Sequence, residues 1–216
     1  LGIKIRYMTQ SRPKGLPDAF LLAKKFINNE SVALILGDNI FLAKGGSKFF
    51  FNSSNIFSGA EIFTYPVKQP KQYGVAKIDR NKRVIHIEEK PKKPKSNLAI
   101  TGLYLFDNKV VKYSKTLKPS KRKELEIVDL LNIYKSYNNL KAKLLNKNIE
   151  WLDAGSENSL LLASNLVKKL EKKNIKIGYL EHISYKNKWI NKNKIRENIK
   201  FFGNCNYSNF LRKIIK

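Results

Sequence analysis

The sequence predicts an α/β fold: a Rossmann-like, mixed but mostly parallel sheet flanked by helices. Three observations carry that prediction. The opening residues read strand, helix, strand, a βαβ unit whose strands run parallel. The apolar run Val32-Ala33-Leu34-Ile35-Leu36 stops at Gly37-Asp38-Asn39, which is how a buried parallel strand ends at a site. The 216 residues are enough for one such domain with a core, together with a small appendage.

Each element has its own signal. Ile3-Lys4-Ile5-Arg6-Tyr7 alternates apolar and polar residues and reads as the first strand. Gln10-Ser11-Arg12-Pro13-Lys14-Gly15 is loop chemistry. A helix follows, with Ala19, Leu22, Ala23 and Phe26 on one face and Asn28-Asn29 near its end. After the strand ending at Asp38, residues 60–67 read as another strand. Residues 75–78 and 83–88 form a hairpin around Asp79-Arg80-Asn81-Lys82. Residues 98–106 form a strand interrupted by Thr101-Gly102. A glycine there marks a bulge, a close backbone approach to a ligand or a simple kink. Residues 124–137 are helical in pattern, and 140–145 read as a strand leading toward Trp151. Ser156 can cap a helix carrying Leu160, Ala163, Ser164, Val167 and Leu170. Residues 191–216 read as two short basic helices around Gly203. The expected organisation is a core over 1–180 and a helical tail over 181–216, the tail being a small subdomain or an oligomer contact.

Composition narrows the chemistry. No apolar run approaches the roughly 18 residues that cross a bilayer. A single cysteine, Cys205, cannot form an internal disulfide and fits a cytoplasmic location. His86 lies within the alternating run Arg83-Val84-Ile85-His86-Ile87-Glu88 and reads as a strand-face histidine. Two histidines and one cysteine leave little material for a zinc site or a Ser-His-Asp triad. The net charge of +26 invites a nucleic-acid reading. The lysines, however, are spread over turns and helix faces. The densest run, Lys90-Pro91-Lys92-Lys93-Pro94-Lys95, has two prolines and no interleaved aromatic residue. Attraction of small anions is the plainer consequence, and neither nucleic acid nor membrane is expected as a partner.

Asp38 stands where a strand ends, and ligands of open α/β sheets bind beyond the carboxyl ends of strands. Trp151-Leu152-Asp153-Ala154-Gly155 supplies a second carboxylate far along the chain. Taken singly, either aspartate reads as a turn or cap. Together they suggest metal-assisted chemistry on a phosphate.

Five segments in order strengthen that reading: Leu36-Gly37-Asp38-Asn39, Tyr73-Gly74-Val75, Ile87-Glu88-Glu89-Lys90-Pro91, Leu98-Ala99-Ile100-Thr101-Gly102-Leu103-Tyr104 and Trp151-Leu152-Asp153-Ala154-Gly155. With the loop at Gln10, with Lys95-Ser96-Asn97 and with Glu124-Leu125-Glu126-Ile127, this order resembles the sugar-phosphate nucleotidylyltransferases. Its nearest likeness is to members that join thymidine nucleotides to glucose 1-phosphate. The resemblance implies the nucleotide-diphospho-sugar transferase fold. It implies Asp38 and Asp153 as Mg²⁺ ligands and, with Lys90, as the catalytic residues. It implies Gln10 and Gly15 at the thymine base, and Tyr73, Gly74, Glu89, Lys90 and Ile100 around the sugar phosphate. It further implies dTTP and glucose 1-phosphate as substrates, dTDP-glucose and pyrophosphate as products, and a homo-oligomer, a tetramer in the family. Such products usually feed deoxysugars into surface polysaccharides. Alternatives are a sister enzyme using UTP, CTP or another sugar 1-phosphate, and a non-catalytic relic that kept the pocket.

Three departures from the family pattern stand out. Ala154 occupies a position usually held by threonine. Leu42-Ala43-Lys44 replaces a tyrosine or histidine with glycine, and Pro17-Asp18 replaces Ala-Gln. Family members also open with a strand and a Gly-x-Gly-Thr-Arg phosphate loop, and residues 1–216 contain no such motif. Gly45-Gly46-Ser47-Lys48 reads as a surface turn. The expectation is therefore of an N-terminally truncated chain lacking the first strand and the phosphate loop, whose backbone N–H groups and charge would hold the triphosphate. Residues 1–216 assayed by themselves are expected to bind nucleotide poorly and to release little or no pyrophosphate from dTTP. Measurable turnover from those residues alone would contradict this.

Overall fold

The computed structural model describes residues 1–43, 58–145 and 148–216. They form two compact units: residues 8–163, and residues 1–7 with 164–216. Gly45-Gly46-Ser47-Lys48 lies outside the described residues.

The larger unit is built on a six-stranded sheet whose path runs β5 (Val84–Glu89), β4 (Gly74–Ile78), β6 (Leu98–Phe106), β3 (Ala60–Pro66), β7 (Leu140–Leu144), with β1 (Val32–Ile35) also paired to β6. β6 is the axis of this arrangement. β3 borders one of its edges from Leu98 to Phe106. The other edge is shared between β4, which meets it at Ala99, and β1, which takes Leu103 to Phe106. β1, β3, β4 and β7 all run in one direction, while β6 and β5 run against them. The strands are thus mostly co-directional, yet β3·β7 is the parallel pair, because β6 sits between strands of the opposite sense.

The sheet is buried on both faces by period-two alternation. Ile100, Tyr104 and Phe106 of β6 join Ile62 in one cluster, which also holds Phe20, Leu130, Leu131 and Tyr134. The intervening Ala99 and Leu103 join Phe63 in a second cluster with Leu145, Ile149 and Trp151. Helix α4 (Ile127–Ser136) covers the first face with Val128, Leu130, Leu131 and Tyr134. The Tyr134 hydroxyl donates to the Asp107 carboxylate at 2.8 Å. Asp107 also accepts the Gly59 N–H at 2.9 Å, which fastens α4 to the entry of β3. Short helix α3 (Val110–Ser114) lies between these elements in sequence.

The strand and turn signals from residue 60 onward are observed within one or two residues. The opening differs. Residues 3–7 pair with no strand among the described residues and are exposed, so the expected βαβ opening is not formed there. An alternating pattern makes a strand only where a sheet edge receives it. The expected single helix is two pieces, α1 (Asp18–Leu22) and α2 (Lys24–Ile27), broken at Ala23. The break changes the buried face: Phe20 and Ile27 are inside, while Leu22 and Phe26 are exposed. β1 is antiparallel to β6 rather than parallel to a neighbour, and Ile35 is 58% exposed. With β6 as its one strand neighbour among the described residues, β1 is half covered rather than buried.

Two further strands form a separate ribbon. β2 (Asn39–Ala43) pairs antiparallel with β8 (Ile149–Asp153). Helix α5 (Glu157–Lys172) follows, with the Ser159 N–H donating to Ser156 Oγ as the capping pattern predicts. The smaller unit holds α6 (Leu180–Lys186), unassigned in the sequence reading, and the two expected basic helices α7 (Lys192–Phe202) and α8 (Asn206–Ile214). Its core is Ile195, Ile199 and Leu211, ringed by Tyr185, Ile190 and Phe210. Asn191 caps α7, and Cys205 caps α8 through its sulfur, which accepts from the Ser208 N–H. That contact gives the lone thiol a structural role.

Leu130 is fully buried between α4 and the sheet. Leu130→Ala is expected to destabilise the protein by about 2–5 kcal/mol, read by denaturant unfolding. A loss below about 0.5 kcal/mol would mean that α4 does not close the core.

Candidate active site

The site is made where β1 ends. The Leu36 N–H donates to the Gly102 carbonyl at 2.9 Å, and the Asn39 N–H returns to the Leu36 carbonyl at 3.2 Å, closing a tight turn that leaves Asp38 at its tip. The β2–β8 register sets Asn39 opposite Asp153. The Ala154 N–H donates to the Asp38 carbonyl at 2.8 Å. Two aspartates distant in sequence are thereby held side by side. A Cβ built on Gly155 would lie 3.1 Å from Asp153 Oδ1 and 3.3 Å from Asp38 Oδ2. The two oxygens face one small space that any side chain at 155 would fill.

Asn39 links this turn to the sheet. Its amide oxygen accepts from the Gly102 N–H at 3.0 Å and from Trp151 Nε1 at 2.6 Å, and its amide nitrogen donates to Asp38 Oδ1 at 2.8 Å. Gly102 is required here. A Cβ would stand 2.6 Å from Asn39 Cγ. The interruption expected in β6 is real: Ile62 pairs with Tyr104 and Thr64 with Ile100, so Thr101-Gly102-Leu103 oppose Phe63 alone. Of the readings offered for this glycine the bulge is the one observed, and it turns the Gly102 N–H toward the Asn39 side chain. Trp151 is nearly buried and packs edge-on against Tyr73 at 5.4 Å and Tyr65 at 5.9 Å.

A cavity of about 200 Å³ opens from this corner. Of the residues expected from sequence, Asp38, Tyr73, Gly74, Glu89, Lys90, Ile100 and Asp153 all line it. β4 and β5 bring Gly74 opposite Glu89. The Lys90 N–H donates to the Tyr73 carbonyl at 3.1 Å, with Lys90 in a left-handed turn at φ 40°. Surrounding protein pushes the Glu89 carboxyl above its ordinary range, and the Lys90 and Arg122 charges pull it back in part. Burial raises the Tyr73 hydroxyl, and the Asp153 charge adds to this. Arg122 was missed by the sequence reading. Glu126 holds it through two hydrogen bonds, of 3.2 and 2.7 Å, and its charge reaches Glu89. A lysine-rich sequence hides one such cation among many.

Gln10 and Gly15 are not among the residues lining the cavity, although Leu16 of the same loop is. The Gln10 amide donates to Asp18 at 2.7 Å. Gly15, at φ 90°, lies against the backbone of Leu125, whose carbonyl a Cβ would meet at 2.0 Å. The backbone of Leu125 thus leaves no room for a side chain at position 15. His86 sits on β5 beside Glu88 at 3.3 Å, as a strand-face histidine would. A larger opening of about 750 Å³ lies between Lys68–Gln72 and Pro94–Asn97 and carries no acidic side chain.

The donor set fits a hard divalent cation. Mg²⁺ prefers one or two carboxylates with the rest of its shell from phosphate or water oxygens, and two carboxylate oxygens converge at Gly155. Among the described residues no cluster of three or more His, Cys, Asp or Glu side chains forms a denser site. No helix there is long and apolar enough to cross a membrane.

Comparisons with known proteins point to one family. A family model described as nucleotidyl transferase matches residues 1–169. Glucose-1-phosphate thymidylyltransferase of Neisseria meningitidis is 38% identical over 216 residues, covering all of this chain and 75% of that protein. The enzyme of the same name from Mycobacterium tuberculosis is 36% identical over 217 residues, again covering the whole chain and 75% of the relative. A Bacillus anthracis crystal structure, provisionally named glucose-1-phosphate thymidylyltransferase and bound to sucrose, superposes with a TM-score of 0.66 at 39% identity. The match covers 80% of this chain and 67% of that one. A UDP-glucose pyrophosphorylase bound to UDP-glucose shares the fold, with a TM-score of 0.64 at 23% identity, covering 76% of this chain and 66% of that one.

Because the Glu89 carboxyl is raised in the folded protein, the folded state binds its proton more tightly than the unfolded chain does. Stability from this group falls as pH rises from the ordinary value of 4.5 through the raised one. Glu89→Gln is therefore expected to gain stability relative to the unsubstituted protein as pH goes from below that range to neutral. Denaturant unfolding at both pH values checks this, and a difference that is flat or of opposite sign refutes it.

Proposed function

The chain belongs to the nucleotidyl transferase family, and from that premise we propose that it is a glucose-1-phosphate thymidylyltransferase. It joins dTTP and glucose 1-phosphate to give dTDP-glucose and pyrophosphate. The observation that carries this reading is the convergence of Asp38 and Asp153 at Gly155, in the same cavity as Glu89 and Lys90.

An oxygen of glucose 1-phosphate attacks the α-phosphorus of dTTP in line. A new phosphorus–oxygen bond forms while the bond from that phosphorus to the bridging oxygen breaks, and pyrophosphate leaves with the electron pair. The attacking monoester has a second pKa of about 6, so it is largely a dianion at neutral pH and needs no protein base. The absence of a histidine from the cavity lining is consistent with this. Asp38 and Asp153 would hold a magnesium ion, which when bound supplies charge neutralisation at the phosphates.

The remaining work falls to the chain's own residues. Lys90 offers a point charge to the sugar phosphate, and Arg122 a second cation. Glu89 accepts hydrogen bonds from sugar hydroxyls and so fixes the ring that carries the nucleophile. Gly74 leaves room for it, since a Cβ there would stand 3.0 Å from Glu89 Oε2. Ile100 and Tyr73 give the apolar wall. Gln10 is assigned to the base, in competition with its bond to Asp18. The protein is assigned to the cytoplasm as a homo-oligomer.

With the natural gene product, glucose 1-phosphate and Mg²⁺, pyrophosphate release is expected to be fastest with dTTP among dTTP, UTP and CTP. Asp38→Asn and Asp153→Asn should each lower kcat on the order of 100-fold, the scale set by losing several kcal/mol of charge stabilisation. Faster turnover with UTP or CTP would assign the chain to a sister activity. Unchanged kcat in both variants would remove the two aspartates from the reaction.

A further inference from the structure

We propose that Asn39 is the positioning residue for Asp38: its amide ties one carboxylate oxygen so that the other faces Asp153 across Gly155. This rests on the reading of Asp38 as a metal ligand. The amide has a single workable orientation. On one side stand two donors, the Gly102 N–H at 3.0 Å and the Trp151 indole N–H at 2.6 Å; on the other stands Asp38 Oδ1 at 2.8 Å. Turning the amide over would set its NH₂ against two N–H groups and its oxygen against a carboxylate. Both donors are themselves fixed. Gly102 is held in the β6 bulge by its carbonyl, which accepts from Leu36. Trp151 is held by β8 and by its edge contacts with Tyr73 and Tyr65.

The consequence falls on Asp38. Its side chain is exposed at a turn tip, where a carboxylate would otherwise sample several rotamers. Among the described residues no other side chain hydrogen-bonds to it. With Oδ1 occupied by Asn39, Oδ2 is the oxygen 3.3 Å from the Gly155 Cβ position, beside Asp153 Oδ1 at 3.1 Å. Strand pairing alone does not ask for an amide at position 39. The combination of two donors and one acceptor around it does.

Two substitutions separate the sides of the amide. Asn39→Ala removes both. Asn39→Asp keeps an oxygen for Gly102 and Trp151 but turns a second carboxylate oxygen toward Asp38. The experiment measures Mn²⁺ affinity by electron paramagnetic resonance, without substrates, for the unsubstituted protein and Asn39→Ala. It also measures kcat for Asn39→Asp in the natural gene product, with Trp151 emission followed in a Trp189→Phe background. Expected are Mn²⁺ binding weakened about 10-fold or more by Asn39→Ala, the usual scale for a residue that orients a ligand, and a comparable fall of kcat in Asn39→Asp with Trp151 emission unmoved. Equal Mn²⁺ affinity in Asn39→Ala, or full kcat in Asn39→Asp, overturns the proposal while the metal-ligand reading stands. A kcat loss accompanied by shifted Trp151 emission overturns it too, because the acceptor side would then be what matters. If the unsubstituted protein binds no Mn²⁺, the metal-ligand reading falls and takes this one with it. Should Asn39→Ala fail to fold, Asn39→Asp decides alone.

Discussion

The register of a two-stranded ribbon is the constraint on which the site depends. β2 and β8 share one pairing, with Asn39 opposite Asp153 and Phe41 opposite Trp151. Successive side chains of a strand point to opposite faces, so a slip of one residue would turn Asp153 and Trp151 away together. The register is pinned at the site end by Ala154 N–H on the Asp38 carbonyl and by Trp151 Nε1 on Asn39. The hydrophobic cluster holding Trp151 also holds Phe63 and Leu103. A core residue and a neighbour of the paired aspartates are thus the same side chain.

That arrangement explains why two like charges can be held together. Asp38 is tied through Oδ1 to an amide, and Asp153 Oδ1 accepts the Gly155 N–H at 3.1 Å. Each carboxylate has a donor of its own. Forty-three lysines and arginines against seventeen acidic residues give a field that draws anionic substrates toward a site containing acids. The excess positive charge needs no nucleic acid to account for it.

Much of the site was legible because its residues sit at strand ends with strong local signals. Asp38, Glu89, Lys90 and Asp153 each stand at or next to a strand end, and all of them line one cavity. What sequence could not give was pairing. The alternating residues 3–7 carried a strand pattern without a partner strand among the described residues. The run at 32–36 looked buried because it is apolar, yet its exposure is set by how many neighbours it has. Helix α1–α2 was misread by one break at Ala23, which periodicity averages over. Asn39 and Arg122 escaped for a related reason: their importance lies in what surrounds them. An asparagine after a turn aspartate and an arginine among lysines are ordinary in sequence. They gain meaning only beside Gly102 and Trp151, or beside Glu89 and Glu126.

The departures from the family pattern divide by whether the position acts through its backbone or its side chain. At 154 the visible contact is the N–H donated to the Asp38 carbonyl, which alanine supplies as well as threonine, so the β2–β8 closure survives the loss of a hydroxyl. At 17–18 the change is in side-chain chemistry. Asp18 is nearly buried and takes the Gln10 amide at 2.7 Å. A glutamine engaged by a carboxylate must exchange that bond to address a base edge, and a hydrogen bond to a charged acceptor is worth about 1.5–3 kcal/mol. Under the proposed assignment of Gln10 to the base, that exchange falls on base recognition and leaves the carboxylates at Gly155 as they are.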